Sequence, residues 1–173
     1  MSRIRVLNTS LFLLFIFLIQ TSLIARINFP IGGFSIYIAI LMVVLSLEDR
    51  NGSLVFGFIG GLIMDLAPSA QTPFGQWALA MTVIGYIFSV NRETVGDFND
   101  RPLALTSLVS VAASVSMLIF IVIGALLGQN NGGLLHSLSI IFSNLLWTFL
   151  ITPIFIPLIL KVRKILLTNR ERV

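Results

Sequence analysis

The feature that most constrains this chain is the near-continuity of its apolar runs. Six of them fill the sequence, near 6–25, 31–47, 53–67, 73–90, 103–128 and 134–160, and only short polar breaks lie between them. A helix needs about 20 apolar residues to cross the hydrocarbon core of a bilayer, within a range of about 17 to 25. The runs therefore predict an all-α integral membrane protein, a bundle of six transmembrane helices forming a single domain over residues 1–173. The second and third runs are short and the last is long, so their ends are the least fixed part of this expectation. Asn91 to Pro102 is the longest break and reads as a loop, which leaves no room for a large domain outside the bilayer. Composition agrees. Hydrophobic residues make up 57% of the chain and charged residues 10%, whereas a soluble domain carries about 25% charged residues. That deficit excludes a water-soluble body, and the same numbers exclude a disordered segment. With no cysteine, the chain can build neither a disulfide framework nor a thiolate metal site.

Orientation follows from the basic residues, which favour the cytoplasmic face. With the N-terminus inside, Arg3, Arg5, Arg50, Arg92, Arg101, Lys161, Arg163, Lys164, Arg170 and Arg172 all fall inside, and Arg26 alone falls outside. Six crossings return the C-terminus to the basic side, so both termini are expected in the cytoplasm. The first run has a basic start, but its apolar stretch exceeds that of a signal peptide and no A-x-A site follows, which favours an uncleaved helix. The tail KVRKILLTNRER suits contact with anionic headgroups of membrane lipids, or serves only to set topology. No groove-reading basic surface is present, so nucleic acid is not an expected partner.

Asp65 is the one acid inside an apolar run, in the stretch GFIGGLIMDL, near the outer end of the third span. A carboxylate in hydrocarbon costs about 3 kcal/mol on insertion scales, a cost that falls near the interface. Asp65 can cap or pair at the helix–loop boundary, line a partner surface, or relay protons. Gly57, Gly61 and Asp65 share one helix face at steps of four, and small residues at that spacing let two backbones approach closely. Ala78, Thr82, Gly85 and Ser89 repeat the pattern on the next span, so the two are expected to pack as an antiparallel hairpin. Pro73 suits the first turn of that next helix. Gln20, Gln76 and His136 are expected at similar depth and could form a polar cluster around Asp65. Ser107, Ser110, Ser114 and Ser116 on the fifth span suit bonds to their own backbone. Asn144, Thr148 and Thr152 share a face of the sixth, and Pro153 and Pro157 should kink or end it. Trp77 and Tyr37 suit an aromatic belt at the outer boundary.

Enzyme chemistry finds little support. One histidine cannot make a multi-histidine metal site, one intramembrane acid cannot make a carboxylate dyad, and neither a nucleophile elbow nor a phosphate-cradling loop is present. No catalytic residue, metal or cofactor is expected.

The run GFIGGLIMDLAPSAQTPFGQWALAMTVIGY, Gly57 to Tyr86, resembles the signature region of bacterial rod-shape-determining proteins of the MreD family. The matching features are a glycine-rich helix ending in Asp65–Leu66, the Ala67–Pro68 start of a short loop, Pro73 and Gly75, Trp77–Ala78–Leu79, and Gly85–Tyr86. They cover 30 of 173 residues; elsewhere the likeness lies in length, span count and the basic tail. The resemblance implies a multi-pass protein of the bacterial plasma membrane, with a fold akin to S-component-like membrane proteins. It implies a non-catalytic scaffold of the cell-wall elongation (rod) complex. Its expected partner is an MreC-type bitopic protein, and through it MreB filaments, RodA and a class B penicillin-binding protein of peptidoglycan synthesis. The alternative from another class is the substrate-binding S component of an energy-coupling-factor vitamin transporter. Such components carry an Ala-xxx-Ala face on the first helix, and LNTSLFLLFIFLIQTSLIA lacks it. A small ion or proton channel would rest on Asp65 alone.

Overall fold

The structure, a computed structural model, describes residues 3–22, 35–67, 72–98, 101–129 and 133–166. All regular elements among them are helices: α1 (Arg3–Ser22), α2 (Ile36–Leu47), α3 (Arg50–Asp65), α4 (Gln76–Val90), α5 (Arg92–Phe98), α6 (Pro102–Leu126) and α7 (Leu134–Leu166). Three of them, α1, α6 and α7, are long and apolar enough to cross a membrane. The apolar helices α2 and α4 are shorter, at 12 and 15 residues, and α3 has 16.

α2 is the centre of the molecule. Its sequence IYIAILMVVLSL is apolar on every side, and such a helix has no face to offer water. Every residue from Tyr37 to Leu47 is buried, with α1, α3, α6 and α7 packed around it. Its start is fixed by Ser35, whose side chain accepts the N–H of Ile38 at 3.3 Å, an N-cap worth about 1 kcal/mol. Its polar atoms are satisfied internally. The Tyr37 hydroxyl donates to the Gly60 carbonyl on α3 at 2.8 Å, and Ser46 bonds back to Val43 at 2.8 Å. Tyr37 is therefore a core residue tied to α3, with its ring edge-on to Phe17 at 5.3 Å. It does not stand in a boundary belt.

The break from Asn91 to Pro102 contains α5, where the sequence suggested only a loop. The helix RETVGDF buries one valine, Val95, to 3% exposure against a wall formed by α2, α4 and α6. Its charged composition hides it from a hydropathy reading; the single apolar anchor holds it down. α6 begins at Pro102, which suits a first helical position because its missing N–H would have been unpaired anyway. It ends in a Schellman turn, with Gly128 at φ +77 and the Gln129 N–H reaching back to the Gly124 carbonyl at 2.9 Å. The α6 hydroxyls Thr106, Ser107, Ser110, Ser114 and Ser116 all bond carbonyls three or four residues back.

α7 runs unbroken through Pro153 and Pro157 to Leu166, so the prolines do not end it. Both rings are exposed, whereas Thr152, Ile156 and Ile159 are buried on the packed side. The defect thus falls on the outer surface, and packing on the inner one carries the helix past it.

Candidate functional site

The densest convergence of sequence-predicted residues is the corner where α3 ends and α4 begins. Asp65 is the last residue of α3 and is 8% exposed. One carboxylate oxygen accepts the backbone N–H of Trp77 at 3.0 Å, and the other accepts that of Ala78 at 2.9 Å. These are the second and third residues of α4, whose first N–H groups have no partner within their own helix. The residue at the usual capping position is Gly75, which has φ +94 and no side chain to offer. Asp65 therefore caps α4 from the neighbouring helix, and its negative charge lies against the positive end of the α4 dipole. The left-handed backbone at Gly75, cheap only for glycine, turns the chain into α4. Pro73 stands before that turn, its carbonyl accepting from Gln76 at 3.3 Å. It is not in the first helical turn, because α4 starts three residues later than its sequence suggested.

Below the corner the two backbones are in contact. A methyl group on Gly57 would lie 2.6 Å from the Met81 carbonyl oxygen, and one on Gly61 would lie 2.6 Å from Cα of Ala78. One on Gly85 would strike the Ser53 carbonyl. Gly57, Gly61, Ala78 and Gly85 thus meet across the α3–α4 hairpin. Thr82 does not take the expected place in that row. Its hydroxyl bonds back to Ala78 at 2.6 Å, and its side chain lines an open groove, while the Met81 backbone faces Gly57. Met81 and Thr82 lie about 60° and 40° to either side of Ala78 around the helix, so spacing alone does not decide which of them faces α3.

α4 is also bound to α6 at this end. The Gln76 side chain donates to the Phe120 carbonyl at 2.9 Å, and Trp77 stacks on the Phe120 ring at 3.9 Å, 17° from parallel. Gln20 serves a third element, its amide oxygen accepting the Ile36 N–H at 3.0 Å to start α2. His136 is exposed in the first turn of α7. The four residues expected to cluster thus work separately: Asp65 on α4, Gln76 on α6, Gln20 on α2, and His136 at the surface. Asp65 and Gln20 each accept an unpaired N–H at the start of a different helix, α4 and α2, and Gln76 donates to a carbonyl within α6. Pro68 and Arg26 lie outside the described residues.

The opposite end of the bundle carries a site that counting charges for topology missed. Arg5 of α1 forms an ion pair with Glu48, the residue closing α2, at side-chain exposures of 11% and 5%. Arg92 donates to the carbonyls of Ser46 and Leu47 at the end of α2, and Arg50 Nε donates to the Ser89 carbonyl near the end of α4 at 3.2 Å. Cations at helix C-termini satisfy the last carbonyls and oppose the dipole. Asp49 opens α3, accepting from Gly52 at 3.2 Å. The available signal was the position of these arginines, one turn or less from predicted helix ends.

On α7, Asn144, Thr148 and Thr152 are buried on one face, and their side chains have no hydrogen-bond partner among the described residues. Two concavities open on the flank of the α3–α4 hairpin. One, of about 420 Å³, is polar and lies at the arginine end; the other, of about 480 Å³, is apolar and lies nearer the Asp65 corner. Among the described residues, no three histidine, aspartate or glutamate side chains gather into a metal-binding group. Comparison with protein-family models, with characterised proteins and with solved structures finds no match to this chain.

Proposed function

We propose that this protein is a non-catalytic membrane scaffold of the cell-wall elongation machinery. It would cross the bacterial plasma membrane six times with both termini in the cytoplasm, and dock an MreC-type bitopic protein through its span. Through that partner it would couple MreB filaments to RodA and a class B penicillin-binding protein. The observation that supports this reading is the use made of the signature residues. Gly57, Gly61, Asp65, Gly75, Ala78 and Gly85 all serve one close-packed hairpin, through backbone contact, a left-handed turn and a cap lent by a neighbouring helix, and Trp77 ties that hairpin to α6 through a stacked ring. Residues that set helix geometry, with no reacting group among them, suit a protein that positions others. The short α2 and α3 fit a six-span bundle because α2 is sheathed by its neighbours and need not match the bilayer thickness alone.

The test is co-purification of the full chain with a bitopic coiled-coil protein, together with depletion scored for cell shape. Recovery of that partner and loss of rod shape are expected. Tight vitamin binding by the purified chain, with no bitopic partner recovered, would replace the scaffold with a transporter S component.

A further inference from the structure

We propose that the open flank of the α3–α4 hairpin binds one phospholipid whose headgroup is a zwitterion, a phosphodiester carrying a primary ammonium. The proposal rests on this end of the bundle lying at a membrane surface and is independent of the scaffold reading. Three observations carry it.

The two concavities lie along one seam. On α3, Arg50 lines the polar notch, while Phe58 and Leu62 line the apolar groove. With Leu54 they follow one another at steps of four, so they share a face of the helix. On α4, Leu79 and Val83 line the groove and Val90 lines the notch. Ile87, between them at a helical step, is exposed as they are. Tyr86 is exposed beside Ile87 on the same side, so a track that is apolar except for the Tyr86 hydroxyl joins the groove to the notch.

The length fits one acyl chain. Leu79 to Val90 is eleven helical steps, about 16 Å at 1.5 Å per residue. Half of a hydrocarbon core about 30 Å thick is about 15 Å. A single acyl chain laid along the track with its headgroup in the notch would end in the groove between Phe58 and Leu79.

The charge of the notch is balanced. Arg50 and Arg92 both line it, and each has only part of its guanidinium committed to helix carbonyls. Glu93 lines it as well, and the ends of α2 and α4 contribute about half a negative charge each. Counting also the positive start of α3 and the Asp49 carboxylate that caps it, about two and a half positive charges face about three negative ones, so a simple anion gains little. A zwitterion gains at both poles, with its phosphate oxygens on the guanidinium forks and its ammonium N–H groups on the Glu93 carboxylate. The Thr94 hydroxyl lines the same notch and adds a neutral donor.

The test is native mass spectrometry of the full-length chain in detergent, titrated with phosphatidylethanolamine, phosphatidylcholine and phosphatidylglycerol. One phosphatidylethanolamine should be retained about threefold over either competitor, the scale of one exposed ion pair. Choline has no N–H to give Glu93, and glycerol has no cation. Glu93→Gln should erase that preference and favour phosphatidylglycerol, and Val83→Trp, which fills the track, should lower retention of all three. Both positions are exposed, and circular dichroism verifies the fold of each variant. Soluble glycerophosphoethanolamine should not compete at equal concentration, because it lacks the acyl chain.

Equal retention of the three lipids, or a preference unchanged in Glu93→Gln, overturns the headgroup assignment. Full retention by Val83→Trp overturns the acyl track and returns the groove to another occupant, such as a partner's helix. Flotation of the protein with vesicles separates these failures from failure of the membrane reading, since a chain that floats yet retains no lipid refutes the site alone.

Discussion

Asp65 occupies the last position of α3, and both of its oxygens hold backbone N–H groups of α4. Removing them leaves two buried donors at a helix start. Asp65→Ala should destabilise the protein by about 2 kcal/mol, a fall of roughly 4–8 °C in the thermal midpoint of the purified chain. Asp65→Asn keeps one acceptor and should lose about half as much; an equal loss in both variants would mean that the hydrogen bond asparagine retains contributes nothing. Gly75 has open space around it, so Gly75→Ala meets no clash and costs only its left-handed backbone, about 1 kcal/mol. Sequence made Asp65 conspicuous, since it is the only acid in an apolar run, and capping was among the roles it admitted. It did not disclose that the cap would be given to another helix, because that depends on how α3 and α4 are registered. Only the glycine spacing hinted at that register.

At the scale of the element, the α3–α4 hairpin depends on backbones that touch. Gly61→Leu must push the Trp77–Ala78 backbone away and should cost about 3 kcal/mol, whereas the same change at Gly96, open on all sides, should be nearly neutral apart from helix propensity. Thermal midpoints of the two variants compare these directly. The polar face of α7 obeys a different rule. A buried amide without a partner lowers stability, so Asn144→Leu should leave the midpoint unchanged or raise it; a fall of several degrees would show that Asn144 holds a bond in the membrane. The small-residue faces were legible in the sequence because spacing alone reveals them. α5 was not, since a two-turn helix with one buried valine has no period to detect, and neither was the continuation of α7 past Pro153 and Pro157, because it depends on both rings lying on the exposed side.

For the whole molecule, the decisive asymmetry is between its two ends. The Asp65 end is held without ion pairs among the described residues: a stacked ring, an amide on a carbonyl and a carboxylate cap on backbone N–H groups. The other end is held by ions, with Arg5, Arg50 and Arg92 closing helices that meet there. Breaking the buried Arg5–Glu48 pair from one side strands a charge, so Glu48→Ala should cost about 3 kcal/mol, and replacing both members with apolar residues should recover most of it. A double substitution no better than the single one would show that the pair is specifically required. The three long apolar helices were readable from hydropathy as the first, fifth and sixth runs. That α2 is the hub was not, because an all-round apolar helix of any length reads the same whether it faces lipid or neighbours.

The cap lent across the corner also couples the two helices. A helix with its own N-cap completes its first turn without help; α4 takes that completion from α3. Whatever separates α3 from α4 therefore also weakens the start of α4, by about the 1–2 kcal/mol that an N-cap is worth, and the corner at Asp65 is where the order of one helix depends on the place of the other.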